Sequence, residues 1–276
     1  MATIAKKVKD RFSKVVPKFQ RILSKAKDRD VNETDTINII NDMLDEVFGY
    51  DKYLDVTSEV NIRGTYCDLA LKTDGKIQFL IEVKAIGLEL KVNHLRQALD
   101  YAANHGTTWV ILTNGVNWQI HKVRFEKPIN HDMVANIDFL KLNSRTDKDQ
   151  ESLHLIAKEG VQKKSREEYY EKIQSINQYV IGNFLLSDPL LSALRRELRK
   201  FAEGLKIEVE ELEEIIKNEI IKREILDSDD GKKAASKIKR HLKKITKKQK
   251  ETKKESKVKE KTETDKTYHA FKPASE

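Results

Sequence analysis

The stretch Tyr66-Cys67-Asp68-Leu69-Ala70, followed in the next apolar run by Ile81-Glu82-Val83-Lys84-Ala85, decides how this sequence is interpreted. Both runs have the apolar composition of buried strands. Carboxylate and ammonium groups are almost never fully buried unless they are paired or hold a metal ion. The three charged residues in these runs, Asp68, Glu82 and Lys84, therefore predict a site rather than a plain hydrophobic core.

Strand geometry predicts that these three side chains lie close together. Successive strand residues alternate between two faces, so Glu82 and Lys84 share one face. Asp74-Gly75, between the two runs, is typical of a β-hairpin turn and sets the strands side by side. Asp68 and Glu82 can then converge on one point, and two adjacent carboxylates suit Mg²⁺.

A metal ion held by two carboxylates beside a lysine suits phosphodiester hydrolysis. Lys84 would stabilise the negative charge that develops on phosphorus or position a water. Glu33, in the first turn of the preceding predicted helix, is a further candidate ligand or base. Two plainer interpretations stay open: Glu82 and Lys84 as a surface ion pair, and Glu33 as a favourable charge at a helix N-terminus.

Gln97 and Tyr101 are four residues apart in a predicted helix, so they share a face that borders the site. That face lies opposite the apolar stripe of the helix or flanks it. The alternative for Tyr101 is a residue that covers the rim of the core. Cys67 has no basic partner in the sequence and is expected to be a small core residue rather than a nucleophile. His94 is expected to be a polar surface residue.

The hydrophobic pattern predicts an α/β fold with the element order α-β-β-β-α-β-β. An amphipathic helix that Pro17 kinks or splits precedes it, and Asn32 is the expected N-cap of the first core helix. We expect four regions: the N-terminal helix (1–29), the α/β domain (30–125), a connector with helices (126–230), and a disordered Lys-rich tail (231–276).

The C-terminal helical region has one-sided apolar stripes, which must be covered. The helices are predicted over Ser165–Leu186, Leu190–Phe201 and Glu208–Leu226. They pack on each other, on the α/β domain or on another subunit. Oligomerisation or partner docking is the expected role.

The net charge of +8 is not spread evenly along the 276 residues. Residues 231–276 hold 17 of the 53 Lys and Arg residues and 6 of the 45 Asp and Glu residues, so the rest of the chain is slightly acidic. Charge alone therefore does not identify the folded part as a nucleic-acid-binding domain. The tail is either a solubilising segment or one that attracts phosphate backbones without reading sequence.

The single cysteine excludes an intramolecular disulfide and a multi-cysteine zinc site. There is no run of about 18 apolar residues, and the N-terminus lacks the apolar core of a signal peptide. We expect a cytoplasmic protein that does not contact a membrane.

The residues quoted above resemble the PD-(D/E)XK nuclease superfamily. The sequence is more narrowly similar to the N-terminal nuclease domain of type I restriction enzyme R subunits and to short stand-alone proteins that carry it. The resemblance spans about residues 30–125, and three features carry it: Asp68 with Glu82-Val83-Lys84, Gln97-x-x-x-Tyr101, and the stretch Leu112-Thr113-Asn114-Gly115-Val116-Asn117-Trp118. Glu33, Gly49-Tyr50-Asp51 and Glu59 also match.

The resemblance implies that Asp68 and Glu82 are metal ligands and that Lys84 is the catalytic lysine. It implies that Gln97 and Tyr101 support the site or bound DNA, and that Glu33 is an accessory acid. The expected activity is Mg²⁺-dependent hydrolysis of DNA, with Mn²⁺ as a possible substitute, in restriction or phage defence. The alternative is a nuclease-fold module that binds DNA or a protein partner and cleaves nothing.

The sequence departs from the restriction subunit in two ways. It has no Gly-x-x-x-x-Gly-Lys-[Ser/Thr] phosphate loop, so no ATP site is expected. Cys67 also stands where the superfamily usually has a proline before the first aspartate.

Overall fold

The computed structural model describes residues 3–62, 65–202, 204, 206–245 and 247. For residues 59–62, 65 and 66 it describes the backbone and not the side chains. Three predicted features lie outside the described residues: the side chain of Glu59, the end of the tail (248–276), and the turn that Gly64 predicts between the first two strands. The chain divides into two compact units, Met1–Ile173 and Gln174–Glu276, called unit 1 and unit 2.

Unit 1 is built on a six-stranded sheet, and the expected mixed α/β class is confirmed. The strands run in spatial order β1 to β6, and every neighbouring pair is antiparallel except β3 with β4, which is parallel. Their bounds are β1 Val56–Ile62, β2 Thr65–Thr73, β3 Lys76–Val83, β4 Trp109–Thr113, β5 Asn117–Arg124 and β6 Asn130–Asp138.

The helices of unit 1 begin and end where local chemistry favours it. Asn32 caps α2 by accepting a hydrogen bond from the backbone N–H of Asp35 at 2.9 Å. Pro17 lies inside α1 and does not split it. The helices are α1 Lys6–Asp28, α2 Glu33–Glu46, α3 Arg96–His105, α4 Asp147–His154, α5 Lys158–Gln162 and α6 Ser165–Ser175.

Each face of the sheet is covered by its own hydrophobic cluster. The larger cluster joins α1, α2 and residues 139–161 to one face, and its strand residues include Leu69, Phe79, Ile81 and Trp118. The smaller one joins α3 to the other face through residues that include Ala70, Leu80, Ala98 and Tyr101. Residues of opposite parity along β3 therefore face different helices, as the period of two requires.

The sheet has one strand more than the five expected. β6 pairs with β5 in the segment that was assigned to a connector. Its two buried apolar residues, Val134 and Ile137, are three positions apart, so the strand lacks a period-two pattern. A register shift at Ile120/His121 in β5 further obscures the pattern.

The N-terminal helix is part of the core of unit 1. Its buried face includes Phe12, Val16 and Phe19. Both terminal nitrogens of Arg11 donate to the carboxylate of Glu159 at 2.7 Å, and its Nε donates to the carbonyl of Val47 at 2.9 Å. These contacts tie α1 to the end of α2 and to α5.

Unit 2 consists of helices around a small apolar cluster. That cluster contains Leu191, Ile207, Leu212, Ile216 and Ile221. The helices are α7 Gln178–Leu185, α8 Asp188–Phe201, α9 Val209–Ile215, a π-helical turn Ile216–Ile220 and α10 Arg223–Asp227.

In three places the helices after residue 164 differ from the prediction. The helix expected over Ser165–Leu186 is two helices, because Asn177 caps a new one by accepting from the N–H of Val180. The one expected over Glu208–Leu226 is interrupted by the π-helical turn. A further helix spans 229–245, where the tail was expected to begin at Gly231, and it buries Ala234 and Ile238.

In the described part of the chain, no helix combines the length and apolar character that crossing a membrane requires.

Candidate active site

Asp68 is fixed at the point where β2 and β3 separate. The described pairs of this ladder end at Leu69 with Ile81, one step before Asp68 and Glu82. Beyond that pair, the backbone N–H of Val83 donates to Oδ2 of Asp68 at 2.7 Å. The half-buried carboxylate of Asp68 thus takes a hydrogen bond from the strand that carries Glu82.

Glu82 lies on the same face of β3 as Leu80, and its side chain is only 3% exposed. Its Oε1 accepts a hydrogen bond from Nζ of Lys84 at 2.8 Å. Burial raises the pKa of Glu82 to about 7, with the negative charge of Asp68 acting in the same direction and the contact with Lys84 opposing it. The carboxyl is thus poised to change its charge near neutral pH.

Lys84 joins the acids of the site. Its backbone N–H donates to the carbonyl of Thr113 in β4, which extends the β3–β4 pairing past Val83. Its Nζ lies 3.7 Å from Oε2 of Glu33, an exposed residue at the start of α2. Burial would lower the pKa of Lys84, but the hydrogen bond to Glu82 and the nearby acids outweigh it and raise that pKa. The lysine is therefore a cation held between carboxylates.

The loop after Lys84 is held by Asn114, one residue of the stretch Leu112–Trp118 that carries the family resemblance. Its Nδ2 donates to the carbonyls of Ile86 and Leu88 at 3.3 and 2.9 Å. Its Oδ1 accepts from the N–H groups of Val116 and Asn117. One buried amide thus ties the β4–β5 turn to the segment that leaves the site. An Asn-Gly pair directly after a buried strand was the available signal.

The two α3 residues occupy different environments. Gln97 is exposed, whereas Tyr101 is buried in the cluster between α3 and the sheet, with its ring stacked on His105 at 6.2 Å between centroids. The hydroxyl of Tyr101 has no hydrogen-bond partner among the described residues. Tyr101 thus belongs to the apolar stripe of its helix, and the structure does not bring it and Gln97 into one polar group with Glu82.

Cys67 is a core residue. Its Sγ donates to the carbonyl of Ile81 at 3.2 Å, and burial raises the pKa of the thiol to about 12. A thiol that stays protonated is a poor nucleophile. His94 caps its own turn by accepting from the N–H of Lys91 and takes no part in the site.

The donor set suits a hard divalent cation. Asp68 and Glu82 are two neighbouring carboxylates, and burial, with the charge of Asp68 as a smaller cause, raises the pKa of Glu82, so a bound metal ion would favour its ionised form. Within the described ranges, no group of three or more His, Cys, Asp or Glu side chains is arranged around one point. Mg²⁺ is commonly held by one or two carboxylates and completes its octahedron with water and substrate oxygens, so two ligands fit it.

The fold and the site define unit 1 as an α/β domain with a carboxylate–lysine site at the carboxyl end of a parallel strand pair. Residues 39–137 match the family model described as "Type I restriction enzyme R protein N terminus (HSDR_N)". This match confirms the resemblance inferred from the sequence and relates the segment to restriction enzymes. It includes Asp68, Glu82 and Lys84 and begins after Glu33. Searches of the curated proteins and of the solved structures gave no match.

Proposed function

We propose that unit 1 is a metal-dependent nuclease with a restriction-endonuclease-like core that hydrolyses DNA phosphodiester bonds in restriction or phage defence. The observation that carries this proposal is the buried carboxyl of Glu82, which is next to Asp68 and hydrogen-bonded to Lys84. Lys84 supplies one positive charge against the two neighbouring carboxyls, and a bound divalent cation would offset the remaining cost of ionising a buried carboxyl beside a second one. The restriction-related family match supports the choice of DNA as substrate.

Each residue of the site has a proposed role. Asp68 and Glu82 would hold Mg²⁺ or Mn²⁺, which supplies Lewis acidity and an activated water when bound. Lys84, kept charged by Glu82 and Glu33, would stabilise negative charge on the phosphate oxygens. Glu33 would act as an accessory acid.

The two α3 residues would act from the margin of the site. Gln97, which is exposed at the start of the helix, is proposed to contact DNA. Tyr101, buried beneath the helix, is proposed to hold α3 in place against the sheet.

A module that binds DNA or a protein partner without cleaving is the second candidate. It is favoured by the pairing of Lys84 with Glu82 at 2.8 Å, which occupies the lysine and one of the two carboxylates. In a silent module this ion pair would be structural and no metal ion would bind.

Cleavage of plasmid and linear DNA with Mg²⁺ or Mn²⁺ tests the proposal. We expect Asp68→Ala to abolish cleavage and Lys84→Ala to slow it by about 10²–10³-fold. Asp100→Ala and Lys91→Ala remove exposed charges of the same sign and should cleave like the wild type. Equal rates for all five proteins would refute the site, and DNA binding without cleavage by any of them would favour the silent module.

We also propose that unit 2 mediates self-association or docking of a partner subunit and that the protein acts in the cytoplasm. The support for docking is the exposure of large apolar side chains in this unit, including Phe201 at 90%, Ile220 at 65% and Ile176 at 62%. Exposed apolar surface of this kind is typical of interaction sites. Sedimentation of the wild type against Phe201→Ser/Ile220→Ser tests it, and an unchanged mass would argue against a role for these residues.

A further inference from the structure

A polar cavity lies in unit 1, away from the carboxylate–lysine site. It has a volume of about 620 Å³ and is formed where the β2–β3 turn meets the end of α3 and the start of β4. Glu82 follows Gln78, a residue of the cavity wall, by four positions along β3, which is about 13 Å of strand. The cavity and the site are therefore separate places on the same strand.

The cavity wall is positively charged. It contains Lys72, Lys76 and Arg166, and none of the residues that line it is acidic. In the described part of the chain, no ion pair involves Lys72 or Lys76. Two ammonium groups without a counter-ion beside an open concave surface favour an anionic ligand.

Arg166 forms a rigid side of the cavity. It is 5% exposed, and its terminal nitrogens donate to the backbone carbonyl and to Oε1 of Gln78 at 2.9 and 2.8 Å. Its guanidinium lies over the rings of Phe79 and Trp109 at 4.5 and 5.2 Å. Glu167 accepts from its Nε at 2.9 Å and offsets part of its charge. Arg166 thus shapes the wall, and the two lysines supply the free donors.

The mouth of the cavity is open because two turns bear no side chains. Gly75 and Gly106 have φ angles of +73° and +78°, and nothing lies within 4 Å of where their Cβ atoms would be. Trp109 in the wall is 1% exposed and offers no ring face for stacking, whereas His105, which also lines the cavity, is exposed and has its ring stacked on Tyr101. The cavity therefore provides mainly charge and hydrogen-bond donors.

We propose that this cavity is a phosphate-binding site, in which Lys72 and Lys76 contact the phosphate oxygens and Arg166 contributes positive field. Ammonium groups bind phosphate as point charges through charge-assisted hydrogen bonds. The bound phosphate belongs either to a free nucleotide or to a nucleic-acid backbone. The inference goes beyond the proposed nuclease activity and does not depend on it.

Calorimetric titration of the full chain with inorganic phosphate and pyrophosphate at low salt tests the site. We expect Lys72→Gln/Lys76→Gln to weaken binding by roughly tenfold or more, because two charge-assisted contacts are lost. Lys7→Gln/Lys14→Gln removes two exposed lysines of α1 and should bind like the wild type. Equal affinities of the two double variants, or no binding of either anion by the wild type, would overturn the proposal.

Two further titrations identify the source of the phosphate. If the wild type binds AMP more tightly than inorganic phosphate and Lys72→Gln/Lys76→Gln loses this binding, the site is one for free nucleotides. If that variant instead binds a short DNA duplex more weakly and its binding releases about two fewer counter-ions, the site is one for the nucleic-acid backbone. Asp68→Ala must keep its phosphate affinity, and this separates the cavity from the proposed active site. Loss of phosphate binding in Asp68→Ala would contradict the inference.

Discussion

At the scale of single residues, the site depends on the coupling of two carboxyls and one lysine. Glu82 is buried, lies near Asp68 and is hydrogen-bonded to Lys84. The sequence predicted this convergence because the Asp74-Gly75 turn and the period of two leave few alternatives. It did not predict the bond from the N–H of Val83 to Asp68, since that bond depends on where the strands separate.

The raised pKa of Glu82 predicts a pH dependence of stability in the metal-free protein. Glu82 has a pKa of about 7 in the folded protein against an ordinary value of about 4.5. Its contribution to the stability of the folded state is therefore fully present below pH 4.5 and is lost as the pH rises through 7. The free energy of unfolding should therefore fall by roughly 2–3 kcal/mol across this window relative to Glu82→Gln. Urea denaturation in a chelator measures it. The exposed control Glu171→Gln should follow the wild type, and parallel curves for wild type and Glu82→Gln would contradict the expectation.

For His121 we predict the opposite dependence of stability on pH. Burial, with the ring of His131 nearby, lowers its pKa to about 4, and neither ring nitrogen has a hydrogen-bond partner within the described residues. The unfolded chain takes up a proton near pH 6.5 and the folded chain does not, so stability is lost as the pH falls from 6.5 towards 4.

His121→Phe should remove this loss. We compare the free energy of unfolding of His121→Phe with that of the wild type at pH 7.5 and at pH 4.5. The difference should shift in favour of the variant by up to about 3 kcal/mol at pH 4.5. Thermal denaturation at both pH values measures the gain, with the exposed His241→Phe as control. A difference that does not change with pH would show that His121 titrates normally.

At the scale of elements, Asn114 links two loops that carry the ends of β3 and β4. Its four hydrogen bonds are all to backbone groups, and its side chain is buried. Asn114→Ala leaves those groups without partners and should lower the free energy of unfolding by about 2–3 kcal/mol. Chemical denaturation measures this, and the exposed Asn136→Ala should change it by less than about 0.5 kcal/mol. A loss as small as that of the control would contradict the linking role.

Helices and strands whose apolar residues recur at a clear spacing were predictable from the sequence, and those without such a spacing were not. α2 has apolar residues at helical spacing, β5 alternates apolar and polar residues, and β4 is a short apolar run, buried throughout, that ends at a turn signal. β6 was not predicted, because its buried residues Val134 and Ile137 do not follow the alternation of a strand and its position depends on pairing with β5. For Tyr101 the sequence left two positions open, at the site or at the rim of the core, because the i, i+4 spacing gives a shared side of the helix but not how deeply that side is buried.

At the scale of the whole molecule, the segment that matches the restriction family is smaller than the unit that shares one core. The match covers residues 39–137, whereas the core of unit 1 also contains α1 and residues from Phe139 to Val161. The sequence alone did not place α1 in this core, because an amphipathic stripe does not identify its partner.

Truncated chains test this difference. Residues 1–176 should unfold cooperatively, whereas 39–137 should lack a fixed tertiary structure because the face that covers Phe48, Trp118 and Ile120 is removed. Near-ultraviolet circular dichroism and thermal denaturation distinguish the two fragments. Cooperative unfolding of 39–137 would contradict the assignment of α1 to the core.

The central claim is that Asp68 and Glu82 share a divalent metal ion, and calorimetric titration with Mn²⁺ tests it most directly. At pH 8, above the pKa of about 7 for Glu82, both the wild type and Asp100→Ala should bind the ion. Asp68→Ala and Glu82→Gln should lose detectable binding, since each removes one of the two carboxylates. Binding by Asp68→Ala with the affinity of the wild type, or no binding by the wild type, would contradict the account.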